Sequence, residues 1–96
     1  MYSIDQKTFL SLLKTKQIHL IDIRDSYLYE QGTIKGAINI PYRLLRFDPG
    51  RYLLKEEVYY IFCSNGTLSE RLTNLLNSLG YQIINVEGGY DAFPYK

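Results

Sequence analysis

Cys63, the only cysteine of the chain, follows the apolar run Val58-Tyr59-Tyr60-Ile61-Phe62 and opens the small polar loop Ser64-Asn65-Gly66-Thr67 ahead of a leucine-rich segment. A thiol in that setting is equipped for nucleophilic chemistry through sulfur. Gly66 permits a positive φ and lets consecutive backbone N–H groups turn inward, while the following helix aims the positive end of its dipole at the sulfur. Thr67 and Glu70 have the spacing of a capping box that would begin this helix at Leu68. An ordinary cysteine, with a pKa of about 8.5, is only a few per cent thiolate at neutral pH, and a helix N-terminus lowers that value enough to raise reactivity about tenfold or more. The bland role for a lone cysteine is a small buried hydrophobe. Strand, glycine loop and helix together favour the reactive role.

Other chemistries lack their parts. His19 is the single histidine and falls inside a predicted strand, which suits a packed or edge side chain rather than a base or a ligand. One cysteine and one histidine make no zinc site, and the stretch from Ser64 to Thr67 has neither the lysine nor the spacing of a nucleotide-phosphate loop. Asp22 and Asp25 read as caps or salt-bridge partners rather than as an acid–base pair.

The elements that position Cys63 follow from periodicity. Tyr2 to Ile4 reads as an edge strand, and Asp5 as the N-cap of a helix over about Gln6 to Lys14, with Ile4 and Phe9 spaced as a hydrophobic staple. Phe9, Leu10, Leu12 and Leu13 form its apolar face. Ile18 to Ile23 is nearly continuously apolar and β-branched, as in a strand covered on both faces, and it delivers Asp22, Arg24 and Asp25 to its C-terminal end. Ser26 to Gln31 suits a short helix ending at Gly32, and Gly36 to Ile40 a short strand closed by Pro41. Tyr42 to Lys55 is expected to be a loop with one short helix. Val58 to Phe62 is the next strand. Leu68, Leu72, Leu75, Leu76 and Leu79 trace one helical stripe that stops at Gly80, and Ile83 to Val86 is the last strand before a short tail. Strands alternating with helices predict an open, mostly parallel α/β sheet covered on both faces. Cys63 then lies beyond the carboxyl end of a central strand, where such sheets gather their functional groups.

Composition bounds the setting. Ninety-six residues with 46% hydrophobic content fit one domain over residues 1–96 with a single core. Eleven basic and ten acidic residues give a formal charge of +1, and only Arg43, Arg46, Arg51 and Lys55 cluster, so neither nucleic acid nor a membrane surface is an expected partner. With no disulfide possible within the chain, no signal-like start and no membrane-length apolar stretch, a reducing cytoplasmic setting is expected. A monomer is expected because no exposed apolar stripe is evident. Ten tyrosines are spread along the chain in a way that suits the edge of a core.

Four blocks stand in order: Leu20-Ile21-Asp22-Ile23-Arg24; Tyr29 through Gly32-Thr33-Ile34-Lys35-Gly36-Ala37 to Pro41; Cys63-Ser64-Asn65-Gly66 with Ser69; and Leu79-Gly80-Tyr81 through Glu87-Gly88-Gly89-Tyr90-Asp91-Ala92-Phe93. Together they resemble the rhodanese family. The resemblance implies a three-layer α/β/α fold around a sheet of about five strands. It implies a sulfurtransferase in which Cys63 takes a sulfane sulfur from thiosulfate or a persulfide, small or protein-bound, and passes it to a thiol or to cyanide without a cofactor. Ser64, Asn65, Gly66, Thr67, Leu68 and Ser69 would surround the persulfide with backbone amides, and the side chains of Thr67 and Ser69 would add hydrogen bonds. Asp22 and Arg24 would organise neighbouring loops, with Arg24 paired to a carboxylate such as Glu30, and Tyr90 and Phe93 would pack beside the loop.

The chain departs from the family pattern at Thr33, where many relatives have histidine, and at Ser64 and Leu68, where basic or small polar residues are common. A loop without cationic side chains should recruit thiosulfate poorly and favour a persulfide donor. A non-catalytic binding module of the same family is the main alternative, although Cys63 is retained. A phosphatase would need an arginine six residues after the cysteine, where Ser69 stands with Arg71 two residues beyond, and an arsenate reductase would need a second thiol.

Overall fold

Strands that lie between two layers of helix are buried on both faces, and the three inner strands of this chain are largely so, while the two edge strands are half-buried or exposed. The computed structural model describes residues 2–96. Its strands are β1 (Ser3–Ile4), β2 (His19–Asp22), β3 (Ile38–Asn39), β4 (Val58–Phe62) and β5 (Gln82–Val86). They form one sheet in the order β1-β5-β4-β2-β3 with every pairing parallel, so β4 is central as expected. The helices are α1 (Gln6–Thr15), α2 (Ser26–Gln31), α3 (Tyr42–Phe47), α4 (Thr67–Ser78) and α5 (Gly89–Ala92), with a 3-10 turn at Pro49–Arg51.

Alternation along the strands divides the core in two. Ile21, Tyr59, Ile61 and Ile83 point to the face that packs against Leu45 of α3 and against Leu72 and Leu76 of α4. Leu20, Phe62 and Val86 point to the other face, where they meet Phe9 of α1 and Phe93 after α5. Burying a side chain such as Leu72 or Leu76 contributes roughly 1.5–3 kcal/mol relative to leaving it in water, so the α4 stripe is a principal anchor of the sheet's first face. Asp5 caps α1, its carboxylate accepting from the Thr8 amide at 2.7 Å. That bond, foremost, holds the Asp5 pKa below its ordinary value.

Several expectations need correction. α4 begins at Thr67 rather than Leu68, and the capping box does not form: left-handed Gly66 is the N-cap with no side-chain cap, and the Thr67 amide donates to Asn65 Oδ1 at 3.0 Å. Thr67 already lies in the helix, so its hydroxyl cannot reach back to cap it. The third strand shrinks to Ile38–Asn39, because Gly36 at a φ of 94° and Pro41 leave little room for a ladder. The Tyr42–Lys55 segment holds the 3-10 turn as well as a helix, and the tail contains α5. His19 is exposed at the start of β2, 3.0 Å from Glu57 and beside the Tyr59 ring.

Candidate active site

Five residues after the end of β4 the chain has become helix, and the connection wraps around one atom. Cys63 Sγ accepts from the Gly66 amide at 3.2 Å and from the Ser69 amide at 3.3 Å, and it lies 3.3 Å from Ser69 Oγ. The two amides converge because Gly66 adopts a φ of 93°, turning its N–H inward and starting α4 at once. The thiol is 5% exposed and forms one wall of an open cleft of about 350 Å³, within the range of small-molecule sites.

Inward amides leave outward carbonyls, and α5 receives them. The Cys63 carbonyl accepts from the Tyr90 amide at 2.9 Å and the Ser64 carbonyl from the Asp91 amide at 2.8 Å, both first-turn donors that have no partner inside their own helix. This docking needs Gly89, at a φ of 60°, since a methyl group there would overlap the carbonyl oxygens of Cys63 and Ser64. The resemblance places Tyr90 and Phe93 beside the loop; Tyr90 meets it through its backbone amide, while Phe93 packs in the core cluster of Phe9.

The β2 end supplies the adjoining wall. Asp22, fully buried, accepts from Arg24 through its backbone amide at 2.9 Å, Nε at 3.0 Å and Nη2 at 2.7 Å, and from the Thr33 hydroxyl at 2.8 Å. Arg24 also donates to the Gly32 carbonyl at 2.6 Å, and its guanidinium lies 4.2 Å from the centre of the Tyr90 ring. The partner of Arg24 is therefore Asp22 two residues away, not Glu30, which remains exposed on α2. Asn39 ties the next connection down, donating to the carbonyls of Asp22 at 2.9 Å and Arg24 at 3.0 Å.

The loop residues divide by position. Ser64, Asn65 and Leu68 line the cleft with Cys63; Gly66 and Ser69 lie buried behind the sulfur; Thr67 is exposed and does not line the cleft, so its side chain is not beside the sulfur. Two residues outside the loop are given no role at the site by the sequence, although Arg43 stands in its basic cluster. Arg43 of α3 lines the cleft, so the cationic side chain that the loop lacks arrives from a separate element, opposite in sign to Asp25 on the same lining. Asn85 of β5, 4% exposed, holds Ser69: the Ser69 hydroxyl donates to Asn85 Oδ1. Asn85 sits on the same face of the sheet as Ile83, beneath the start of α4, and only strand pairing brings it there. Among the described residues no cluster of His, Cys, Asp and Glu could hold a metal, and no helix is long and apolar enough to cross a membrane.

Comparisons with known proteins bear on the family and the fold. The model of the rhodanese-like domain matches residues 5–95. A tRNA uridine(34) hydroxylase of Rickettsia canadensis is 33% identical over 92 residues, which cover 90% of this chain and 37% of that protein. The chain spans about a third of the length of the curated relatives it matches. A rhodanese-like domain protein from Staphylococcus aureus is similar in structure, with a TM-score of 0.83 and 32% identity over 97% of this chain and 91% of that one. A rhodanese-related protein from Thermoplasma volcanium gives 0.82 and 27% over 98% and 96%.

Proposed function

Because the chain belongs to the rhodanese-like domain family, we propose that it is a sulfurtransferase that carries a sulfane sulfur on Cys63. The observation that carries this reading is the arrangement at the sulfur: two backbone amides donate to Sγ, with the Ser69 hydroxyl beside it, at the wall of an open cleft. Fixed neutral donors stabilise sulfur most when it bears negative charge, which is the demand of a thiolate nucleophile and of a persulfide anion. In the first half-reaction the Cys63 thiolate attacks the outer sulfur of thiosulfate; the S–S bond breaks, sulfite leaves with the bonding pair, and Cys63 becomes a persulfide anion. With a low-molecular-weight or protein persulfide, the attack falls on the terminal sulfur, the donor leaves as a thiolate, and the terminal proton stays on the transferred sulfur. An acceptor thiolate or cyanide then attacks that outer sulfur and Cys63 departs as a thiolate. No net oxidation occurs, and no cofactor is needed.

Arg43 supports recruitment of an anionic donor, and the neighbouring Asp25 makes the cleft lining less favourable to thiosulfate than a wholly basic one. A second reading is favoured by the relatives named tRNA uridine(34) hydroxylase: the chain would be the thiol-bearing part of a tRNA-modifying enzyme. Intact-mass measurement after incubation with thiosulfate and with a small persulfide separates the readings. A gain of one sulfur atom, removed by an acceptor thiol and absent in Cys63→Ser, is expected. No gain with any donor would overturn the sulfurtransferase, and a Cys63-dependent change in tRNA uridine would then favour the second reading.

A further inference from the structure

Ser69 Oγ has one proton and three neighbours that can accept it: the Gly66 carbonyl at 3.2 Å, Asn85 Oδ1, and Cys63 Sγ at 3.3 Å. Ser69 is 0% exposed, so water does not reach its hydroxyl to arbitrate among them, and Asn85 and Cys63 are 4% and 5% exposed. With the Asn85 oxygen facing Ser69, the hydroxyl points away from sulfur, and the sulfur's own proton can be donated to Ser69 Oγ. This direction, thiol to hydroxyl to amide oxygen, suits neutral Cys63. It is wrong for a thiolate, which needs the hydroxyl proton aimed at it.

The amide of Asn85 can reverse the chain. Its Nδ2 has no hydrogen-bond partner within the protein among the described residues, and rotation of a terminal amide by a half turn exchanges two groups of nearly equal size. The turn therefore gives up only the bond to Ser69 and replaces it with Nδ2 donating to Ser69 Oγ. The hydroxyl is then free to donate to Sγ. We propose that Asn85 is a positioning residue whose amide, acting through Ser69, directs one hydroxyl proton toward Cys63 when the sulfur ionises and away from it when the sulfur is protonated. Asn85 does not touch the sulfur or a donor. Its effect is on the reactivity of Cys63 itself, independent of what the thiolate later attacks.

The test uses the thiol and not sulfur transfer, so its failure is distinguishable from failure of the sulfurtransferase reading. Iodoacetamide alkylation of Cys63 at neutral pH, with the ultraviolet absorbance of the thiolate measured alongside, is compared in Asn85→Leu, Ser69→Ala and the double variant. Losing the hydroxyl's hydrogen bond to the charged sulfur should slow alkylation about tenfold in Ser69→Ala, and about threefold in Asn85→Leu, where the hydroxyl remains but nothing turns it from the Gly66 carbonyl toward the sulfur. Because the two residues act as one chain, the double variant should be no slower than Ser69→Ala. Alkylation of Asn85→Leu within about twofold of the unaltered protein, or faster, overturns the proposal, as do effects that multiply in the double variant. If Asn85→Leu does not fold, the side-chain amide resonances of Asn85 in the unaltered protein decide: they must shift as Cys63 ionises and stop doing so in Ser69→Ala. Resonances indifferent to the state of Cys63 overturn the proposal equally.

Discussion

The carboxyl ends of β2 and β4 lie side by side, with Asp22 in register with Phe62, and the residues that follow them, Arg24 and Cys63, are buried polar groups on the wall of the same cleft. They use their hydrogen bonds in opposite ways. At the β2 end, two opposite charges saturate each other: the Asp22 carboxylate is filled by Arg24 and Thr33, and Arg24 is held by Asp22, Gly32 and the Tyr90 ring. Such a pair is held in place, because any group that bonds the Asp22 carboxylate would have to displace a bond already made without water. At the β4 end, Cys63 faces neutral donors that interact weakly with a thiol and more strongly with an anion. Buried charge at one corner shapes the cleft, and uncharged donors at the next leave the sulfur free to react.

Breaking the first corner should produce the largest effect. Asp22→Ala strands the Arg24 guanidinium in the interior, and a loss of about 3–5 kcal/mol in urea unfolding is expected; a loss below about 1 kcal/mol would mean that the pair is not the clamp of this corner. Gly89→Ala acts on the second corner by forcing a methyl against two loop carbonyls at positive φ. It should cost about 1–3 kcal/mol and slow sulfur loading of Cys63 by at least about tenfold, because the loop amides shift with their carbonyls. Unchanged loading in a destabilised variant would separate loop anchoring from reactivity.

Arg43→Gln should leave the melting temperature unchanged and slow loading from thiosulfate about threefold at low ionic strength, with the difference shrinking as salt is added. Equal rates at all salt concentrations would remove Arg43 from donor recruitment. The smallest effect belongs to Thr67→Ala, which should change stability by less than about 0.5 kcal/mol because the hydroxyl caps nothing. A loss near 1 kcal/mol would restore the capping role that the spacing of Thr67 and Glu70 suggests.

Much of the fold is legible from a few residues at a time. The α4 stripe is read from Leu72, Leu75 and Leu76 and is buried where the period requires, although Leu68 at its start turns to the cleft and Leu79 at its end stays exposed. The Asp5 cap, the central strand Val58–Phe62 and the stop of α2 at Gly32 are equally local. The miscast capping box shows the limit of such signals. A helix start displaced by one residue removes a pattern that the letters still contain, and Gly66 decides that start through the backbone turn that the cysteine loop requires.

Amino-acid order alone thus determined that a thiol would stand at the end of a central parallel strand, before a glycine turn and an amphipathic helix, because periodicity, propensity and turn chemistry act within a few residues. Tertiary structure alone decided which groups meet that thiol. Asn85 arrives under Ser69 through the pairing of β4 with β5, Arg43 reaches the cleft from α3, and the first amides of α5 close on the carbonyls of Cys63 and Ser64. Each of these contacts joins residues separated by a crossover or a long connection, and their register is set by how the two faces of the sheet are buried rather than by any neighbouring residue.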